Sequence, residues 1–171
     1  MFLRLAKKNG MRSMRKKSKY KPKGVRLDNL SWIAAGFKKV GSLPTAGVAL
    51  KLKNHEALEA VLKGYATRDH VDVLIAAFNM AESFYHTNPS LGEDWDEEIK
   101  AAQEAIYQMA KRGIKLGSFV FTATEMVAVK LAMSVHDQQL DDCTVREMET
   151  SIDYVTGRIR SKHARAIVET V

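Results

Sequence analysis

The stretch from residue 67 to residue 86, TRDHVDVLIAAFNMAESFYH, constrains the fold more than any other part of the chain. On a helical wheel its polar side chains fall within one narrow strip, and nearly all of the remaining circumference is apolar. A helix of this kind is buried by neighbours on several sides. We therefore expect a central helix around which the other elements pack. Its polar strip consists of Arg68, Asp72, Asn79, Ser83 and His86.

Apolar spacing and capping signals predict further helices before and after this stretch. A short helix is predicted over 28–40, and an amphipathic helix over 94–113, closed by Gly113. Two capping boxes of the form Thr-x-x-Glu begin at Thr122 and Thr144 and predict the starts of the last two helices.

One segment carries a different pattern. Residues 48–54, VALKLKN, alternate large apolar side chains with others, which predicts an extended connector or an edge strand. Asn54 is then the expected cap of a helix that Gly64 stops. The sequence predicts an all-α fold: a single compact bundle of five to six helices, with a short extended segment and a flexible basic N-terminal arm.

Charge divides the chain into two parts. Residues 1–27 contain eleven Lys or Arg and no Asp or Glu, whereas the remaining residues contain sixteen basic and twenty acidic side chains. Like charges repel, so we expect residues 1–27 to be a disordered arm and residues 28–171 to form the helical domain. Met11 and Met14 are further start codons, and the fold is expected to survive removal of the arm.

The arm is the main functional signal in the sequence. A clustered cationic segment with an aromatic side chain in it is typical of sequence-independent contact with nucleic-acid phosphates. The basic end of the last helix extends this surface if it lies near the arm. The predicted contact residues are Arg15, Lys16, Lys17, Lys19, Tyr20, Lys21, Lys23 and Arg26 in the arm, and Arg158, Arg160 and Lys162 in the helix.

A protein partner is the alternative. The acidic run from Glu93 to Glu98 suits docking on a basic surface of a host, defence or phage protein, with the helical body as the interface. The last helix also carries a narrow apolar seam, which suits either a homodimer or packing within the chain. The seam consists of Val145, Met148, Ile152, Val155 and Ile159.

The sequence contains no pattern for catalysis or metal binding, and we expect neither an enzyme nor a cofactor. Carboxylate-bridged metal sites in helical bundles need a Glu-x-x-His pair on each of two helices. The nearest arrangements are Glu82 with His86 and His136 with Asp137, which do not match. All five histidines fall at polar or terminal positions of the pattern. Phosphate-loop and nucleophile-elbow motifs are absent.

Cys143 is the only cysteine and precedes a capping box, where we expect it to pack against Met148. A chain that cannot form an internal disulfide fits a reducing compartment. No apolar run approaches the length of a membrane span, so we expect no membrane partner. Together these features predict a cytoplasmic protein.

Three stretches carry a family resemblance: KYKPKGVRLDNLSW, KLKNHEALEAVLKGYATRDHVDVLIAAFNMAE and TEMVAVKLAMSVHDQQLDDCTVREME. Together they resemble uncharacterised small helical proteins encoded by bacteriophages and prophages of proteobacteria. The resemblance covers roughly residues 14–155 and carries no catalytic signature. It implies a bacterial cytoplasm as the setting and a regulatory or host-directed role.

Overall fold

The computed structural model describes residues 2–5, 35–43 and 46–167. In these parts of the chain there are five α-helices and one two-stranded parallel sheet, which confirms the predicted fold class. The first part of the predicted helix over 28–40 lies outside them. Ala35 and Gly36 are helical, but the helix does not reach residue 40, because Lys39 is extended and bridges Thr144 and Val40 begins a 3-10 turn. The elements are β1 (Leu3–Leu5), α1 (Ala46–Leu62), α2 (Arg68–Thr87), α3 (Asp96–Leu116), α4 (Ala123–Asp142), α5 (Val145–Arg160) and β2 (Arg165–Ile167), with 3-10 turns at Val40–Ser42, Pro89–Leu91 and Glu93–Trp95.

The predicted central helix, α2, lies in the middle of the fold. It packs against each of the other four helices and against β1. Val71, Leu74, Phe78 and Phe84 have no exposed surface, because neighbours cover α2 on several sides. The polar strip of α2 faces α5 and the beginning of the chain, where Asn79 and Ser83 are buried.

Both predicted capping boxes are present, and they fix where α4 and α5 begin. In the first, the Glu125 N–H donates to Thr122 Oγ1 (3.3 Å), and the Thr122 N–H donates to Glu125 Oε2 (2.8 Å). Both terminal nitrogens of Arg112 also donate to the Glu125 carboxylate, at 2.7 and 2.5 Å. The cap of α4 therefore also joins that helix to α3.

The prediction of an extended segment over 48–54 is wrong, because these residues belong to α1. Asn54 does not cap the helix but lies in its interior, buried. The inward face of α1 follows helical spacing through Gly47, Asn54, Leu58 and Val61. Two polar or small residues on that face hide the helical period, and the alternating apolar side chains point outward instead.

The predicted end of α3 at Gly113 is also wrong. The helix continues to Leu116 and ends at Gly117, whose φ of 74° is the left-handed conformation typical of a helix end. Gly113 is buried inside the helix. A Cβ atom there would lie 2.2 Å from Phe119 Cδ1, so glycine is needed for the close approach of the Phe119 ring.

The first residues of the chain are part of the core, which corrects the prediction that the arm begins at residue 1. Phe2 and Leu3 are only 2% and 1% exposed. The side-chain amide of Asn79 holds Leu3 as a neighbouring strand would: the Leu3 N–H donates to Asn79 Oδ1 (2.8 Å), and Asn79 Nδ2 donates to the Leu3 carbonyl (2.6 Å). Leu3–Leu5 then pairs in parallel with Arg165–Ile167.

This burial makes the first residues important for stability. We expect Leu3→Ala to lower the free energy of unfolding by about 2–5 kcal/mol, because it leaves a cavity beside α2. Urea unfolding of the full chain measures the change. Leu116→Ala is the matched control, since Leu116 is 77% exposed. Equal unfolding midpoints for the two variants would show that the beginning of the chain is dispensable.

Candidate nucleic-acid interface

The predicted contact residues are divided between the parts of the chain that the structure describes and those it does not. Arg158, Arg160 and Lys162 lie at the end of α5 and just after it. The remaining eight lie outside the described residues: Arg15, Lys16, Lys17, Lys19, Tyr20, Lys21, Lys23 and Arg26.

Arg158 serves the packing of the chain's first residues. Its guanidinium carbon lies 5.3 Å from the centre of the Phe2 ring, in a cation–π contact. The Phe2 ring in turn meets the rings of Tyr154 and His86, with centroids 5.7 and 6.2 Å away. Arg158 is half-buried, and its Nε is buried without a hydrogen-bond partner among the described residues. It is the least accessible of the three predicted side chains.

Arg160 and Lys162 are exposed. Arg160 is the last residue of α5, and Lys162 has a φ of 60°, the left-handed conformation that turns the chain away from the helix towards β2. The carbonyl end of a helix carries partial negative charge, which favours cations in the last turn. The positive charges of Arg160 and Lys162 are therefore electrostatically favourable at this end of the helix.

Two further exposed basic residues lie beside the predicted contact residues at the end of α5. Arg165 begins β2, and its guanidinium carbon lies 3.4 Å from the centre of the Tyr107 ring. Its Nη1 also donates to Glu104 Oε2 (2.9 Å). His163 lies between Lys162 and Arg165 and shares a hydrogen bond with Ser161. The recurrence of basic residues beyond the end of α5 was a usable signal. We name the set Arg158, Arg160, Lys162, His163 and Arg165 the basic corner.

The beginning of the chain is joined to the basic corner. The Arg165 N–H donates to the Phe2 carbonyl (2.8 Å), and the parallel pairing sets Leu3 opposite Arg165 and Leu5 opposite Ile167. The basic sequence resumes two residues after Leu5, and two residues span at most about 7 Å. The covalent chain therefore connects the N-terminal basic sequence to the body at the basic corner.

Among the described residues, His136 and Cys143 have the pKa values that lie furthest from their ordinary values, and neither side chain is suited to catalysis. Burial lowers the pKa of His136 to about 4, against the opposing effect of its contact with Gln139. His136 is fully buried in the core beside Phe84, which corrects the prediction that every histidine lies at a polar or terminal position. Burial, together with the charge of Glu147, raises the pKa of the Cys143 thiol to about 11. Cys143 packs with Phe84 and Met148, as predicted.

The residue pairs closest to a metal-binding pattern are separated by the fold. Glu82 is buried and accepts a hydrogen bond from Gln103 Nε2 on α3 (2.8 Å). His86 points the other way and stacks on Tyr154, with ring centroids 5.4 Å apart. In the described parts of the chain, no group of three or more His, Cys, Asp and Glu side chains is arranged to hold a metal ion.

Comparisons with protein-family models, with curated proteins and with solved structures found no match. Within residues 2–5, 35–43 and 46–167, the helices lack the combination of length and apolar character needed to cross a bilayer.

The buried His136 makes stability depend on pH. Its folded pKa of about 4 lies below the value of 6.5 for a free histidine, so the unfolded chain binds more protons between these pH values. The contribution of His136 to the free energy of unfolding is therefore fully present above pH 6.5 and is lost as the pH falls towards 4. We expect a loss of about 2–3 kcal/mol between pH 7 and pH 4.5.

Urea unfolding at a series of pH values, on the natural chain and on His136→Gln, measures this contribution. The pH series stops at 4.5 because the pKa values of Glu125 and Glu147 lie below 4.5. Burial opposes the lowering of these two pKa values, but hydrogen bonds from Arg112 or from the capping threonines outweigh the effect of burial. The variant is expected to have the shallower dependence. Parallel curves for the two proteins would contradict a buried, neutral His136.

Proposed function

We propose that this protein is a non-enzymatic accessory or regulatory protein of a phage or prophage that contacts nucleic acid in the bacterial cytoplasm. The phosphate contacts come from the basic residues between Arg15 and Arg26 and from two exposed residues of the basic corner, Arg160 and Lys162. The helical body is the scaffold that holds the corner. The phage setting rests on the sequence resemblance alone.

One observation carries the proposal: β1 pairs with β2 directly beside the basic corner. The sequence alone does not show whether the two basic regions lie near each other. The anchoring of Phe2 and Leu3 supports their nearness, because β1 ends at Leu5, opposite Ile167 and two residues from Arg165. Two separate cationic segments then act on the same stretch of phosphates.

The chemistry of the corner supports contact with the backbone of nucleic acid rather than with its bases. The faces of the Phe2 and Tyr107 rings are covered by the guanidinium groups of Arg158 and Arg165. Base stacking needs a free aromatic face. Guanidinium and ammonium groups recognise phosphate in any sequence, so we expect little discrimination between sequences.

Binding to mixed-sequence DNA and RNA across a series of salt concentrations tests the proposal. Each phosphate contact adds about 0.9 to the slope of log affinity against log salt on duplex DNA. Seven basic residues from Arg15 to Arg26, with Arg160 and Lys162, give a slope of at most about −8. Fluorescence anisotropy with labelled oligonucleotides measures it.

Variants separate the two segments. Changing Lys16, Lys17, Lys19 and Lys21 to Gln is expected to make the slope shallower by about 3 to 4, and Arg160→Gln with Lys162→Gln by about 2. Residues 2–5 stay in place, because deletion of the whole arm would remove Phe2 and Leu3 from the core. Lys53→Gln with Lys115→Gln is the control for a loss of two exposed charges elsewhere. A slope near zero, or equal effects of the control and the corner variants, would refute the proposal.

A protein partner remains the second candidate, and one observation favours it. Trp95 is 40% exposed beside the acidic beginning of α3, where Asp94 and Glu97 are also exposed. Exposed tryptophan is frequent at the centres of protein interfaces, and the carboxylates suit a basic surface. Trp95→Ala discriminates the two functions: it should weaken capture of a protein partner from the host and leave the salt-dependent binding of DNA unchanged.

A further inference from the structure

Helices α1 and α4 expose large apolar side chains on neighbouring outer surfaces. On α1, Val48, Leu52 and Leu62 are 61%, 57% and 39% exposed, and on α4, Val127 and Leu131 are 65% and 46% exposed. Scattered single residues of this kind are ordinary, but five on two adjacent helices with an apolar groove between them are typical of an interaction surface. We name this surface, defined by these five residues, the α1/α4 face.

A groove runs along the face between the two helices. The helices are antiparallel, because Lys51 Nζ lies 2.6 Å from Asp141 Oδ2 and His55 Nε2 lies 2.6 Å from Asp137 Oδ2. The groove encloses about 460 Å³. Leu58 and Met133 belong to its lining and supply an apolar floor.

The charges on this face are largely balanced within the chain. His55 is paired with Asp137, and Glu59 Oε1 lies 2.5 Å from Lys63 Nζ. Lys130 stands on the α4 wall of the groove and Glu59 on the α1 wall. A face with opposite charges on its two walls, and little net charge, can meet a copy of itself without repulsion.

We infer that the α1/α4 face binds a second copy of this chain, with a two-fold axis that runs along the groove. Such an axis lays α1 of each copy over α4 of the other. The ion pairs show which residues of α1 and α4 lie side by side along the groove. Lys51 lies beside Asp141 and His55 beside Asp137. Because the helices are antiparallel, Glu59 then lies level with Met133, and Leu62 level with Lys130. Glu59 of one copy then faces Lys130 of the second copy within one helical turn, and the two-fold axis repeats this pair.

The apolar residues match in the same arrangement. Leu62 of one copy lies level with Leu131 of the second copy, one residue along α4 from Lys130. The four helices thereby form a bundle with an apolar seam at this end of the groove. Two helices, about 25 Å long and side by side, cover a footprint of roughly 20 by 25 Å per copy. The total of roughly 1,000 Å² is at the lower limit for a specific interface.

This interface differs from the homodimer that the sequence suggested through α5. The seam of that helix faces α2 across a groove, and Ile152 within it is 45% exposed, so the homodimer through α5 stays a prediction. The inference is also independent of nucleic-acid binding, because neither Arg160 nor Lys162 belongs to the α1/α4 face.

Sedimentation of the full chain at increasing concentration tests the inference. We expect the mass to rise from 19.1 kDa towards twice that value between about 1 and 300 µM, as for a weak dimer. Leu62→Glu with Leu131→Glu should raise the dissociation constant at least about tenfold. Leu116→Glu, at an exposed position outside the face, should leave it unchanged. Circular dichroism and urea unfolding verify that each variant is folded.

A charge exchange tests the orientation of the two copies. Glu59→Lys and Lys130→Glu should each weaken the dimer, and the double variant should recover it, because the exchanged charges meet again across the two-fold axis. A chain that stays monomeric throughout, or a dimer that Leu62→Glu with Leu131→Glu leaves intact, would overturn the inference. Dimerisation without recovery in the double variant would overturn the proposed axis.

Discussion

The structure depends on the burial of α2 from all sides. Twenty residues of helix with apolar side chains around most of their circumference cannot be covered by one or two neighbours, so all four other helices pack on it. The part of α2 that the other helices leave uncovered is its polar strip. A neighbouring helix alone would offer the Asn79 side chain no hydrogen-bond partners there. The beginning of the chain fills that gap, and the Asn79 amide bonds both backbone groups of Leu3. Leaving the donor or the acceptor of such a buried amide unsatisfied would cost about 1–3 kcal/mol.

Local signals predicted the fold class and several helix boundaries, because those features are decided by residues close in sequence. The capping boxes at Thr122 and Thr144 are the clearest cases, since each depends on a side chain three residues away. The beginning of α1 could not be predicted in the same way. Its inward face carries Asn54 and Gly47 where an apolar residue is expected, and its apolar residues point outward. Gly113 was misleading for a related reason, since a glycine that ends a helix and one that admits an aromatic ring look alike in sequence.

The candidate site was only partly predictable because its parts come from opposite ends of the chain. Basic composition identified Arg160 and Lys162, but it could not reveal that Arg158 lies over Phe2 and is therefore half-buried. The contact that decides this, between Leu3 and Asn79, joins residues 76 positions apart. The available signals were a short apolar run at the beginning of the chain and one asparagine on a buried helix. Neither signal indicates that the two segments contact each other. His136 was missed similarly, since its burial depends on how α4 packs against α2.

The basic corner and the α1/α4 face occupy different parts of this fold, and the packing around α2 explains the separation. The basic corner lies where α5 and β2 end, whereas the α1/α4 face is formed by helices that pack on another part of α2 and on each other. A surface rich in one sign of charge disfavours self-association, and an apolar surface with balanced charge favours it. A dimer through the α1/α4 face would therefore keep both basic corners accessible. Two corners on one particle would contact phosphate at two places at once, so modest affinity at each corner would suffice for firm attachment.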